Sequence, residues 1–99
     1  ERAEAPVLYR ALSAAHDAAV AGVRSADELG RVFTAVVGDP DRIRYFTPVD
    51  AATMVPLDEL GGSVRLLASI GLGSVRLVDN VGVELGVTNH PQDRDRETP

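Results

Sequence analysis

The chain has 99 residues, of which 44% are hydrophobic and 25% charged, with a net charge of −5 at pH 7. That length suits one domain with one modest core, and the negative charge argues against non-specific binding to nucleic acid or to an anionic membrane surface. The absence of cysteine excludes disulfides and thiolate metal sites.

No apolar run approaches the ~20 residues of a membrane-spanning helix, and no signal peptide is visible. Aromatic residues are confined to Tyr9, Phe33, Tyr45 and Phe46, so the core has to be built from Ala, Val, Leu and Ile. All the basic residues are arginine. The chain begins at Glu1 and its only methionine is Met54, which reads as a fragment or processed product of a longer protein.

Residues 3–22 read as a first helix, with Leu8, Leu12, Ala15, Ala19 and Val23 at helical spacing on one face. Pro6 is tolerable there only in the first turn. A second helix opens on the capping box Ser25-x-x-Glu28, with Asp27 at the positive end of the helix dipole. It carries the stripe Leu29, Val32, Phe33, Val36, Val37 and stops at Gly38 and Pro40.

From Arg42 the period changes to two. Ile43, Tyr45, Thr47 and Val49 alternate with Arg42, Arg44 and Phe46, and Pro48 marks an edge or a strand end. Asp50 to Leu60 is a connection in which Met54, Pro56 and Leu57 are expected to tuck inward, with room for a one-turn helix near 50–53. Val64, Leu66, Ala68 and Ile70 form a second strand, Leu72-Gly73-Ser74 a turn, and Val75 to Val78 a third strand. Val81, Val83, Leu85 and Val87 continue the alternation, either as an extension past a bulge or as a short fourth strand. The polar segment 89–99 has no apolar pattern and reads as a disordered tail. The whole is a small α+β domain.

Chemistry-bearing residues are few. His16 and Asp17 are helix neighbours that diverge by about 100° and read as solvent-facing. His90 and Asp93 lie in the tail and lack further metal ligands. Gly61-Gly62, Gly71 and Gly73 fit neither a phosphate loop, which needs a lysine, nor a dinucleotide fingerprint, and read as turn residues with positive φ. Asp58 and Glu59 read as solvated acids. Arg42 and Arg44 are expected on one strand face, where they could hold an anion or bridge to Asp39, Asp41 or the helices. Arg76, Asp79 and Asn80 close a buried hairpin and need partners there. An Asp beside an Asn caps a turn through side-chain to backbone bonds, so these three read as a structural lock. No set of residues assembles a nucleophile, a base and oxyanion donors, and no catalytic, cofactor-binding or metal-binding residue is assigned.

The string Arg76-Leu77-Val78-Asp79-Asn80, after a Gly-Ser turn, is similar to the RLIDN hallmark near the end of pantothenate synthetases (pantoate–β-alanine ligases). APVLYRALSAA, RYFTPVDAATMVPLDEL and GGSVRLLASIGLGSVRLVDNVGVELG also resemble the carboxy-terminal domain of that family, over residues 1–86, with the helical text closest to actinobacterial members. The resemblance implies two helices packed on an antiparallel sheet of about three strands, forming a lid domain over residues 1–88. It also implies a cytoplasmic, AMP-forming ligase that makes pantoyl adenylate from pantoate and ATP, with Mg2+, and passes it to β-alanine. In the family that chemistry falls mainly on an amino-terminal Rossmann-like domain with an H-x-G-H motif and a K-M-S-like loop. Neither motif is present here, so no catalytic residue transfers and the chain alone is expected to be inactive. Its missing partner domain would leave an apolar docking surface prone to homodimerisation. A free-standing interaction module with the same fold is the rival reading, and a small-ligand binding domain a weaker third.

Overall fold

The computed structural model describes residues 4–86, which form two helices followed by a three-stranded antiparallel sheet in the order β1-β2-β3. Helix α1 (Glu4–Ala21) and helix α2 (Ala26–Val37) pack on one face of β1 (Ile43–Asp50), β2 (Ser63–Leu72) and β3 (Val75–Glu84). This is the α+β arrangement that the resemblance implies. Pro6 falls in the first turn of α1, where its missing N–H removes no intrahelical bond. The face of α1 that meets the other elements is Leu8, Ala11, Leu12, Ala15 and Ala19, all buried. Three of the five are alanine, so the helix can approach its neighbours closely.

Helix α2 starts as its cap requires. Ser25 is extended and its Oγ accepts the Glu28 N–H at 3.2 Å, while the Glu28 side chain remains exposed. Gly38 ends the helix at φ 93°, and its N–H donates to the Thr34 carbonyl at 2.8 Å. Leu29, Phe33 and Val37 are buried. Phe33 stacks on Phe46 of β1 with ring centroids 4.8 Å apart, an offset geometry that aromatic pairs favour.

The alternation in β1 is real, but its faces are the reverse of those expected. Phe46 pairs with Ala68 and Pro48 with Leu66, on the helix side, while Tyr45, Thr47 and Val49 pair with Ser69, Leu67 and Arg65 on the other side. A register shift between Ile43 and Tyr45 is the cause. One extra residue there, Arg44, turns every later side chain over. Arg42 is not in the strand but in a 3-10 turn (Pro40–Arg42), so it does not share a strand face with Arg44 as expected. Pro48 is buried on what is, as anticipated, an edge strand.

The connection after β1 folds back along that edge. Leu57 N–H donates to the Pro48 carbonyl at 2.9 Å, Asp50 N–H donates to the Val55 carbonyl at 2.9 Å, and Val49 bridges Pro56. A single turn, closed by the Met54 N–H on the Asp50 carbonyl at 2.7 Å, stands where a one-turn helix was anticipated. Returning along the sheet edge turns Met54 and Pro56 outward, so both are exposed rather than tucked in. Leu57 alone of the three packs against the core.

The Asp50 carboxylate accepts the N–H groups of Ala52 at 2.8 Å and Thr53 at 3.0 Å. Those backbone bonds, Thr53 first and then Ala52, hold its pKa below the ordinary 3.8. A depressed carboxylate contributes stability above the unfolded value, and that contribution is lost as pH falls through the folded one. Below about pH 4 the 50–55 turn should therefore loosen before the sheet does. Amide exchange at Ala52 and Thr53 that is no faster at pH 3 than expected from the intrinsic rate change would contradict this.

β2 and β3 form a long hairpin. Gly73 and Ser74 are the only residues between the paired Leu72 and Val75, and Gly73 takes φ 61°. A two-residue hairpin turn of type II′ needs such a conformation at its first central position. Pairing then runs without a break from Leu72 opposite Val75 to Ser63 opposite Glu84. The late alternation is thus one continuous ten-residue strand with no bulge, and no fourth strand stands among the described residues. Val87 and the segment 89–99 lie outside the described residues.

Candidate functional site

The hairpin carries the three singled-out polar residues, but on two faces. Asp79 pairs with Ala68, whereas Arg76 and Asn80 pair with Gly71 and Leu67 on the opposite side of the sheet. All three are exposed, so the burial cost anticipated for them does not arise, and they lie inside a strand rather than at its end. Asp79 Oδ1 accepts the neighbouring Asn80 N–H at 2.8 Å, and Asn80 Oδ1 accepts Arg65 Nη1 at 2.7 Å. The Arg65–Asn80 bond spans β2 and β3, a cross-strand tie on the outer face. The Arg76 side chain makes no ion pair or hydrogen bond with described residues.

The remaining candidates do not converge. His16 Nδ1 and Asp17 Oδ1 meet at 3.0 Å despite pointing away from the same helix at different angles, and Asp17 is largely in solvent. Asp58 and Glu59 are exposed. Their backbone ties the 58–60 segment to the start of α2, with Ala26 N–H on the Asp58 carbonyl at 2.9 Å and Leu60 N–H on the Arg24 carbonyl at 2.8 Å. Gly62 has positive φ like Gly73, but Gly61 and Gly71 do not. Gly71 is instead a strand residue crossed by a neighbour: a Cβ there would stand 2.8 Å from a guanidinium nitrogen of Arg44. His90 and Asp93 lie outside the described residues.

An open groove of about 620 Å³ runs between α2 and β1, lined among others by Ala26, Gly30, Ala35, Phe46 and Pro48, with Asp27 and Arg31 also on it. Its Thr34 hydroxyl already donates to the Gly30 carbonyl at 2.8 Å. Nothing in it pairs a nucleophile with a base. Among the described residues no group of three or more His, Asp or Glu converges to hold a metal ion, and no helix is long and apolar enough to cross a membrane.

What the sequence left unseen is a gathering at the far end of the outer face. Arg42 Nε donates to the Gly71 carbonyl at 3.2 Å, the Arg44 guanidinium lies over Gly71, and Arg76 stands directly opposite Gly71. On the same face Ser69 is fully buried, with its hydroxyl unpartnered. Each arginine is visible in the sequence; the bulge that lays Arg44 across Gly71 is not.

Two helices covering one face of a three-stranded antiparallel sheet, with no helix on the other face and no catalytic constellation among the described residues, define a two-layer α+β domain. A model of the pantoate–β-alanine ligase family matches residues 1–82, and the chain belongs to that family. Pantothenate synthetase 1 of the actinobacterium Frankia alni is 47% identical over 95 residues, covering 84% of this chain and 32% of the relative. Pantothenate synthetase of Geobacillus kaustophilus is 35% identical, covering 94% of this chain and 32% of the relative. The crystal structure of pantothenate synthetase from Thermus thermophilus superposes with a TM-score of 0.70 at 33% identity, over 81% of this chain and 29% of that one. The chain therefore spans about a third of the length of the relatives it matches. The Mg2+ that the resemblance attaches to a whole ligase finds no converging donor set among the described residues.

Proposed function

We propose that residues 1–88 are the lid domain of an AMP-forming ligase that condenses pantoate with β-alanine. The observation that carries this reading is the match to about 30% of the synthetases' length by a unit whose described residues hold no nucleophile–base pair and no metal donor set. The larger share of the enzyme, a Rossmann-like domain, holds ATP and Mg2+ and forms the adenylate. Closure of this domain over it excludes water, so that the amine rather than hydroxide displaces AMP. Arg76, Asp79 and Asn80 act within the lid. Asn80 ties Arg65 across the hairpin and keeps that surface stiff, which a closing element needs if it is to present one fixed shape.

The test is β-alanine-dependent AMP release in the presence of the 99-residue chain, ATP, Mg2+ and pantoate. The expected result is release no greater than in buffer, and turnover by the chain would overturn the reading.

Separation from its partner leaves apolar side chains in water. Tyr9 is 65% exposed and Val78 62%. Exposed apolar side chains favour association, and the chain is expected to dimerise as its concentration rises. Sedimentation equilibrium giving a monomer mass at every concentration up to the millimolar range would contradict this expectation.

A further inference from the structure

We propose that the free edge of β3 pairs with the same edge of a second copy of this chain, joining the two three-stranded sheets into one continuous sheet about a twofold axis at Asn80. The proposal assigns the self-association expected above to one surface, and it does not depend on the lid reading. The chain covers one edge of its sheet and leaves the other. Along β1 the returning segment takes the backbone groups, with Leu57 N–H on the Pro48 carbonyl and Asp50 N–H on the Val55 carbonyl, both at 2.9 Å. Along the far side of β3 no backbone bond is made among the described residues. β3 is ten residues long, with no proline and no break in its register. Gly82 is exposed and has no side chain to account for it, so the backbone itself is open there. A long unbroken edge of this kind is a template for another strand.

Which groups face outward follows from the turn. A two-residue loop makes Leu72 and Val75 the hydrogen-bonded pair nearest to it, and such pairs alternate along an antiparallel ladder. Val75, Leu77, Asp79, Val81 and Val83 therefore bond inward to β2, and Leu85 N–H keeps that direction, donating to the Gly62 carbonyl at 2.9 Å. The N–H and carbonyl groups of Arg76, Val78, Asn80, Gly82 and Glu84 point away from the sheet. Asn80 shows it directly: its N–H is met by the adjacent Asp79 carboxylate at 2.8 Å. That carboxylate has to give way to a carbonyl of the second copy.

Charge selects the occupant and the register. Arg76 and Glu84 lie at equal distances in sequence to either side of Asn80, and all three are on the outer face. Antiparallel pairing centred on Asn80 sets each Arg76 opposite Glu84 of the second copy, a cross-strand pair of the stabilising kind made twice over. The Arg76 side chain makes no ion pair or hydrogen bond with described residues, and Glu84 accepts the Ser63 hydroxyl through one carboxylate oxygen, at 2.6 Å. An axis at Val78 or at Gly82 would leave Arg76 with no acid opposite it.

The experiment is amide hydrogen exchange of the 15N-labelled 99-residue chain from micromolar to millimolar concentration. Raising the concentration should slow exchange at Val78, Asn80 and Gly82 by about tenfold or more, and leave Leu77, Asp79 and Val81 unchanged. In sedimentation equilibrium, Arg76→Glu should weaken the dimer about tenfold, since both cross-strand pairs become like-charged. Adding Glu84→Arg to it should restore the dimer, which also certifies that the exchanged strand folds. A chain that is monomeric throughout, a dimer whose added protection lies elsewhere, or a charge exchange that fails to restore pairing would overturn the proposal. Protection of the outward amides that is the same at every concentration would overturn it as well, by showing that the chain's own remaining residues cover the edge.

Discussion

Phe33→Ala is expected to destabilise the domain by about 3–5 kcal/mol. Phe33 is fully buried and stacks on Phe46 at 4.8 Å, joining α2 to β1. Truncation leaves a cavity against the Phe46 ring, and the stacking contribution of about 0.5–1.5 kcal/mol is lost with it. Domains of this size have about 5–15 kcal/mol in hand, so the variant should melt some 15–30 °C lower. Tyr45, in the same strand but on the outer face and partly exposed, should lose less than about 1 kcal/mol on truncation. Urea denaturation of the two variants decides the matter. Equal losses would mean that α2 does not dock through Phe33.

The second large effect separates two adjacent residues. Leu66 is fully buried on the helix side, flanked by Pro48 and Val81, whereas Leu67 lies half-buried on the outer face opposite Thr47 and Asn80. Leu66→Ala should cost about 2–5 kcal/mol, because helices on one side and strands on either flank hold the cavity open. Leu67→Ala should cost well under half as much, since one side of its environment is solvent. The comparison reads the sheet's facing directly. A Leu67 variant as damaged as the Leu66 one would show that the outer face is also packed, and would undo the two-layer description.

Helix boundaries were legible because their signals are local: Ser25 caps, Gly38 stops, and the apolar stripe between them has one period. The facing of β1 was not. Alternation reports that a strand exists, but a single inserted residue reverses which side it shows, and nothing in Ile43-Arg44-Tyr45 announces a bulge. Val75 to Glu84 was legible in part. Its alternation was clear, yet the polar pair Asp79-Asn80 suggested an interruption, because polar residues at mid-strand look like an end until the exposure of both faces is known. The arginine cluster was hidden for the first of these reasons. Arg44 and Gly71 were each noticed, but their contact depends on the bulge.

The most direct test of the lid proposal uses Frankia alni pantothenate synthetase 1, intact, deleted of the segment that matches this chain, or carrying this chain in its place. The quantity measured is the ratio of AMP released with β-alanine to AMP released without it, with circular dichroism confirming that each form is folded. If this domain shields the adenylate, the deletion should bring that ratio towards one and the chimera should restore it. A folded deletion variant that keeps the intact enzyme's ratio would contradict the proposal.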